Sequence, residues 1–296
     1  MGELLIGCSG WDYPEPPPKG WLGVFYPSRK TKRLHYYSQF FSTAEMDSTF
    51  YNEFYSKMTK GTFVGLARAT PEKFQFSIKV PKAITHDKKL SVKRGAIADF
   101  EEFLDKISPL KTMNKLGVIL IQLPPSFTVT DFRNIEGFLD RLPRGYDYAV
   151  EFRHESWRTE GPWEMLKHYE VAVVMTDSPD PTLRFLSDIV VTADHAFVRW
   201  HGRNDKFWYD YLYSKEELKP WAEKIKKIKG QTKMLRGYFN NHLGGKAVLN
   251  ALQFKQMNGS LSNNEKKAME QVEKYLSGEK IGIEQWMLDD QVYTKK

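Results

Sequence analysis

The 296-residue chain has a single cysteine, Cys8, which excludes an intramolecular disulfide and any multi-cysteine metal site. Cys8 falls inside the first strand-like run and reads as a small buried residue rather than a nucleophile. No apolar run approaches the ~18 residues that a membrane-spanning helix needs. Leu4–Ile6 is too short for the hydrophobic region of a secretory signal, so the expectation is a cytoplasmic protein without membrane association. There are seven histidines, but no His-Glu-x-x-His motif and no histidine cluster. A glycine-rich phosphate loop is missing; the pair Gly244–Gly245, just before a helical segment, is equally a turn. No internal repeat, low-complexity tract or linker divides the chain. The proline-rich stretch Pro14–Pro18 comes too early to separate two cores.

What the chain does have is enough apolar material for one large core: 41% hydrophobic and 14% aromatic residues. The formal net charge is +7. That permits a nucleic-acid or phosphorylated partner without demanding one. Lysine-rich clusters occur at Lys30–Arg33, Lys88–Arg94 and Lys224–Lys229. The last flanks an apolar stripe of Leu218, Trp221, Ile225 and Ile228, so its lysines occupy the solvated face of a helix.

Eight runs carry strand character: Leu4–Gly10, Thr43–Phe50, Phe74–Val80, Leu116–Leu123, Tyr148–Arg153, Val171–Asp177, Ala196–Gly202 and Met234–Asn241. Helical spacing separates most of them. Expected helices include Asn52 to Pro71, Ile97 to Ile107 with Asp99 as cap, Asp131 to Leu142 with Thr130 as cap, Trp163 to Tyr169, Gly245 to Met257 and Asn264 to Leu276. Pro179 to His195 holds no convincing long helix. Strand–helix alternation repeated eight times predicts a single (β/α)8 TIM-type barrel of the α/β class, over residues 1–260. A C-terminal helical extension, 261–296, ends in a tail with Trp286 that is expected to pack back on the barrel.

Catalytic groups of such barrels sit where strands end. Alternate strand residues face opposite sides. Val150 and Phe152 alternate with Glu151 and Arg153; Val198 and Trp200 with Arg199 and His201; Ile78 and Val80 with Ser77 and Lys79. Ile121 and Leu123 flank Gln122, and Met46 lies between Glu45 and Asp47. With the apolar members facing the helices, the polar ones point inward near the top. Glu45, Asp47 and Glu151 then confront Lys79, Arg153 and Arg199 in one confined space. An ion-pair network that plugs the barrel is one reading; a polar pocket with acid, base and anion-holding groups is the other. His154, His201, Glu45, Asp47, Glu151 and Asp177 could supply metal ligands in principle, but Lys79 and the arginines would repel a cation, so no metal is expected.

At these residues the chain resembles the YecE-like family, known as domain of unknown function 72. The matching stretches are Gly7-Cys-Ser-Gly-Trp11, Phe25-Tyr-Pro27, Ser48-Thr-Phe-Tyr51, Phe76-Ser-Ile-Lys-Val-Pro81 with Ile84-Thr-His86, Leu120-Ile-Gln-Leu-Pro-Pro125, Val150-Glu-Phe-Arg-His154 with Trp157, Arg199-Trp-His-Gly202, and Tyr238-Phe-Asn-Asn241 with Ala247 and Asn250-Ala251. The resemblance runs from Leu5 to about Leu252 and implies a single TIM-type barrel. It implies no established reaction. The family's fold looks similar to metal-dependent TIM-barrel endonucleases, a fold-level analogy, yet the histidine-rich metal set of those nucleases is missing here. The chain departs from the family at Asp47, where Asn is expected, and in the Pro14–Pro18 insertion.

The leading expectation is therefore an enzyme without organic cofactor, of hydrolase or lyase type, acting on a small anionic, phosphorylated or nucleotide-like substrate. Glu151 is the first choice for general acid or base, with Asp47 a further carboxylate. Lys79 serves as cation, proton donor or Schiff-base former. Arg153, Arg199 and His201 hold or polarise the anion. Gln122, Asn240 and Asn241 orient it, and Trp11, Tyr51 and Trp157 wall the pocket. The rivals are a non-catalytic nucleic-acid binder, weak and salt-dependent, and a small-molecule binder without turnover. The oligomeric state is not readable from the chain.

Overall fold

The computed structural model describes residues 2–279. Among them, eight parallel strands run in the order β1-β8-β7-β6-β5-β4-β3-β2. The chain alternates β1 (Glu3–Cys8), α1 (Arg33–Tyr37), β2 (Thr43–Met46), α2 (Asn52–Tyr55), α3 (Lys60–Arg68), β3 (Gln75–Lys79), α4 (Ala96–Thr112), β4 (Leu116–Gln122), α5 (Phe132–Leu139), β5 (Asp147–Glu151), α6 (Glu160–His168), β6 (Ala172–Asp177), β7 (His195–Trp200), α7 (Lys215–Lys229), β8 (Met234–Phe239), α8 (Lys246–Asn258) and α9 (Asn263–Leu276). This is a TIM-type α/β barrel, and each of the eight expected strands overlaps an observed one.

The barrel closes between β1 and β2, where the ladder is reduced to a Ser9–Glu45 bridge. Tyr37 mends the seam. Its hydroxyl accepts from the Cys8 amide at 2.8 Å and donates to the Thr43 carbonyl at 3.0 Å, so two backbone groups of the gap are satisfied by one side chain. Gly7 allows the approach: a Cβ there would lie 2.2 Å from the Thr43 carbonyl oxygen. Cys8 is buried at the same seam, and burial pushes its thiol pKa far up, as suits a packing residue.

Parity divides two cores. Ile78, Ile121, Val150, Val198 and Phe239 face the surrounding helices, in one large apolar cluster. Val118, Leu120, Ala149, Val174, Phe197 and Tyr238 form a separate cluster that fills the barrel interior. Burying such side chains is worth about 1.5–3 kcal/mol each. Charged groups are thereby confined to the two ends of the barrel.

Local signals move several expected boundaries. The helix expected over Asn52–Pro71 is broken in two, because the Thr59 amide donates to the Thr62 hydroxyl at 3.1 Å and α3 starts afresh there. Asp99 does not cap α4. Gly95, at φ 76°, takes that position, and Asp99 pairs with Lys88 at 2.6 Å. Thr130 does not cap α5 either; Thr128 opens that segment, its amide donating to Asp131 at 3.1 Å. The connection after β6 contains a 3-10 segment, Pro181–Ser187. Helix α9 buries Ala268, Met269 and Val272, and its Gln271 donates to the Val24 carbonyl at 2.9 Å. Trp286 and the rest of the expected tail lie outside the described residues. Among the described residues, no helix is long and apolar enough to cross a membrane.

Candidate functional site

The inward-facing residues at the carboxyl ends of β2, β3, β5 and β7 meet around Arg199. This guanidinium is 2% exposed and donates to Glu151 and to Glu45, each at 2.6 Å, with both carboxylates fully buried. Glu151 accepts further from Arg153 at 2.6 Å and from His201 at 2.9 Å. A proton on His201 Nε2 serves the Glu151 carboxylate, which only accepts, while Arg153 Nη2 stands 3.1 Å from the same nitrogen. The His201 Nδ1 then accepts from Asn240 Nδ2 at 3.1 Å. Burial, reinforced by Arg153 and Arg199, depresses the His201 pKa to about 3, so the ring is neutral at physiological pH.

The two carboxylates are driven apart. For Glu45, burial outweighs the attraction of Arg199 and raises the pKa. For Glu151, burial acts in the same direction but is overcome by Arg153, Arg199 and His201, which hold it well below the usual carboxylate range. Oppositely shifted carboxyls in one site suit separate acid–base roles. Glu151 thus serves as acceptor for three donors, while Glu45, which the expected catalytic set left out, is the carboxyl with the raised pKa; its parity with Asp47 was the available signal.

Lys79 stands apart from this network. It is 7% exposed at the end of β3, and among the described residues its ammonium has no hydrogen-bond or ion-pair partner. It lies over the Phe50 ring, 3.8 Å from the centroid. Burial first, then Arg199, lower its pKa to about 8. Asp47 is partly buried, and its carboxylate likewise makes no hydrogen bond or ion pair among the described residues. Gln122 follows the same inward parity, pairing in register with Glu151.

Among the described residues, seven buried side-chain polar atoms find no protein partner: Ser9 Oγ, Glu45 Oε2, Arg153 Nε, Thr176 Oγ1, Arg199 Nε, Trp200 Nε1 and Asn241 Oδ1. All lie at strand carboxyl ends or just beyond them. Such groups are rare in folded proteins and costly, about 1–3 kcal/mol each.

Two expected site residues are elsewhere. Trp157 does not wall the mouth: it is fully buried, stacks on Phe152 at 4.6 Å and donates to the Phe127 carbonyl at 2.8 Å. It follows β5 in a 3-10 turn, where strand parity no longer operates. Asn241 faces away from Asn240, and its amide joins the Tyr211 carbonyl and Asn250, each at 2.8 Å. Trp11 packs edge-on against Phe76 at 5.6 Å, at the margin of the mouth. Tyr51 is 47% exposed on the rim. The segment following β7 contributes Trp208, 5.5 Å from the Arg153 guanidinium, which aromatic content alone did not single out. The segment after β1, residues 12–29, stacks Tyr13 on His242 at 4.7 Å.

A polar cavity of about 420 Å³ opens beside the cluster, lined by Thr176, Asp177, Arg184 and Arg203 among others, but Lys79, Glu151, Arg199 and His201 do not line it. Glu151, Arg199 and His201 are joined directly, with Lys79 beside them over Phe50. Among the described residues, no three His, Cys, Asp or Glu side chains form a group that could hold a metal ion.

Comparison with known proteins adds a family. Residues 5–273 match the model described as "Protein of unknown function DUF72". YunF of Bacillus subtilis is 26% identical over 281 residues, covering 86% of this chain and 94% of that protein. YecE of Escherichia coli K12 is 28% identical over 244 residues, covering 75% and 80%. A crystal structure of a DUF72 family protein from Thermotoga maritima superposes with a TM-score of 0.71 at 32% identity, covering 86% of this chain and 98% of that one.

Proposed function

The chain belongs to the DUF72 family, and from the chemistry gathered at its barrel mouth we propose that it is an enzyme. It acts by acid–base chemistry, as a hydrolase or lyase without organic cofactor, on a small anionic substrate of phosphorylated or nucleotide-like type. The observation that carries this reading is the surplus of uncommitted donors. Among the described residues Lys79 Nζ makes no hydrogen bond or ion pair, and the buried Arg153 Nε and Arg199 Nε have no partner, while the neighbouring Glu151 already accepts from three donors. A network built only to plug the barrel would pair its cations. Lys79 and Arg153 are the groups an anion can reach. Glu45, with its raised pKa and free Oε2, is the proton carrier, and Gln122 and Asn240 orient substrate.

The test is a thermal-shift screen of the whole chain against sugar phosphates, nucleotides and carboxylates, repeated on Arg153→Gln. Stabilisation by anionic compounds that the variant loses supports the reading. Stabilisation by none, or equally in both proteins, contradicts it.

One observation favours a second reading, a non-catalytic nucleic-acid binder. Tyr51, Phe54, Phe207 and Tyr209 are 44–67% exposed on segments following β2 and β7, as bases would need for stacking. That reading requires single-strand affinity that falls steeply with salt and ignores Lys79.

A further inference from the structure

We propose that Lys79 is a covalent residue: its amine condenses with the aldehyde or ketone carbonyl of an anionic substrate to form an imine. The proposal rests on the mouth being the substrate site, and narrows the substrate to carbonyl compounds.

Three features of the geometry carry it. The first is isolation. A buried lysine kept for structure is paired, because an unpaired buried ammonium is costly. Here Glu45 and Glu151 both turn to Arg199, and among the described residues none gives Lys79 an acceptor. The second is surroundings. The amine sits over the Phe50 face, and the guanidinium groups of Arg199 and Arg153 oppose its protonation. Desolvation beside another cation is how a lysine becomes nucleophilic near neutral pH; its pKa of about 8 agrees. The third is a proton carrier within the same site. Ser77, two residues before Lys79, pairs with Glu45 across β2 and β3, so Glu45 and Lys79 are diagonal neighbours on one inward face. Glu45 keeps one carboxyl oxygen without a partner.

The step balances without any further reactant. The neutral Lys79 nitrogen attacks the carbonyl carbon, and the carbonyl π pair moves to oxygen, which takes a proton. That proton is the one the attacking nitrogen loses, so the carbinolamine is neutral. Protonation of its hydroxyl, by Glu45, releases water as the nitrogen lone pair forms the C=N bond. The product is a protonated imine and one water. The cation that results is an electron sink for bond cleavage at the adjacent carbon, a lyase-type reaction. Glu151 does not take part in the exchange; it fixes Arg153, which holds the anionic group.

The experiment is reductive trapping on the full-length protein. Pyruvate, glyceraldehyde 3-phosphate and the uncharged glycolaldehyde are each incubated at sub-millimolar concentration with sodium cyanoborohydride, and adducts are located by peptide mass mapping. Lys79 should label at least about ten-fold faster than the surface lysines, given the larger neutral fraction of its amine. The anionic probes should outpace glycolaldehyde, and Arg153→Gln should erase that preference. Lys79→Met and Lys79→Arg should lose the fast adduct while melting like wild type. Labelling of Lys79 no faster than that of surface lysines overturns the proposal. If anions still stabilise the protein in that case, the imine alone fails and the acid–base reading stands. If they do not, both fail.

Discussion

The two ends of this barrel hold the same kind of chemistry in opposite states. At the floor, Arg236 donates to Asp147 at 3.1 Å and to Gln75 at 2.9 Å, and His195 meets the Tyr148 carbonyl at 2.9 Å. Asp147 is 41% exposed, so its charge remains largely solvated. Among the described residues, the buried side-chain polar atoms without a partner lie at the strand carboxyl ends or just beyond them, and none lies at the floor. Between the ends, Tyr238 links Thr43 and Ser77 through hydroxyl hydrogen bonds of 2.6 and 2.8 Å. The floor is thus a closed hydrogen-bonding system, of the kind that stabilises. The mouth keeps a dry ion cluster, an isolated amine and orphaned donors, which burden the fold. The difference is the reason for placing the proposed function at the mouth.

The sharpest way to break the comparison is to remove the arginine from each end. Arg199→Met leaves Glu45 and Glu151 buried with their shared cation gone, and should cost about 3–5 kcal/mol. Arg236→Met leaves a half-solvated aspartate and a neutral glutamine, and should cost about 1–2 kcal/mol. Urea denaturation of both variants measures the gap. Equal losses would erase the distinction between the ends.

Acid should attack the mouth first. His201 has a folded pKa of about 3 against an ordinary 6.5. Between those values the unfolded chain binds a proton that the folded chain refuses, so stability falls as the pH drops from 6.5 towards 3. Glu151, with its depressed pKa, adds a loss in the same direction below the ordinary carboxylate range, as the pH falls through its folded value. His201→Gln should flatten the upper part of this slope in thermal melts taken at successive pH values. An unchanged slope would mean that His201 is not held neutral by burial and its arginine neighbours.

A smaller effect is expected for nucleic acid. The α7 lysines face solvent around a buried Leu218, Trp221, Ile225 and Ile228 stripe, so binding of oligonucleotides should be weak and should fade between about 50 and 200 mM salt. Fluorescence titration at two salt concentrations checks this. Tight binding that survives salt would make the exposed rim aromatics the functional feature, in place of the cluster beneath them.

Much of the barrel could be read from residue order because strand parity is a local rule. It brought Lys79, Glu151, Arg199 and His201 to one end, where the structure has them within a single cluster. It stopped working where the strands stop. Trp157, in a turn, and Asn241, two residues past β8, went to the outer packing. Partner choice was not legible either. Nothing in the residue order says that Arg199 takes both Glu45 and Glu151 and leaves Lys79 alone, since that follows from three-dimensional reach across β2, β5 and β7. Helix starts were misjudged at Asp99 and Thr130, since a glycine in the left-handed region and a Thr128–Asp131 pair compete for the same backbone groups.

The central claim is that the mouth carries polar groups not needed for folding, and Lys79→Met tests it most directly. The substitution removes an ammonium that has no partner among the described residues and keeps an apolar stem over Phe50. Chemical unfolding should find the variant at least as stable as wild type, as expected where function strains a site, and anionic ligands should no longer stabilise it as they do the parent. A loss of several kcal/mol with the ligand response intact would show that Lys79 belongs to the scaffold, and the account would be wrong.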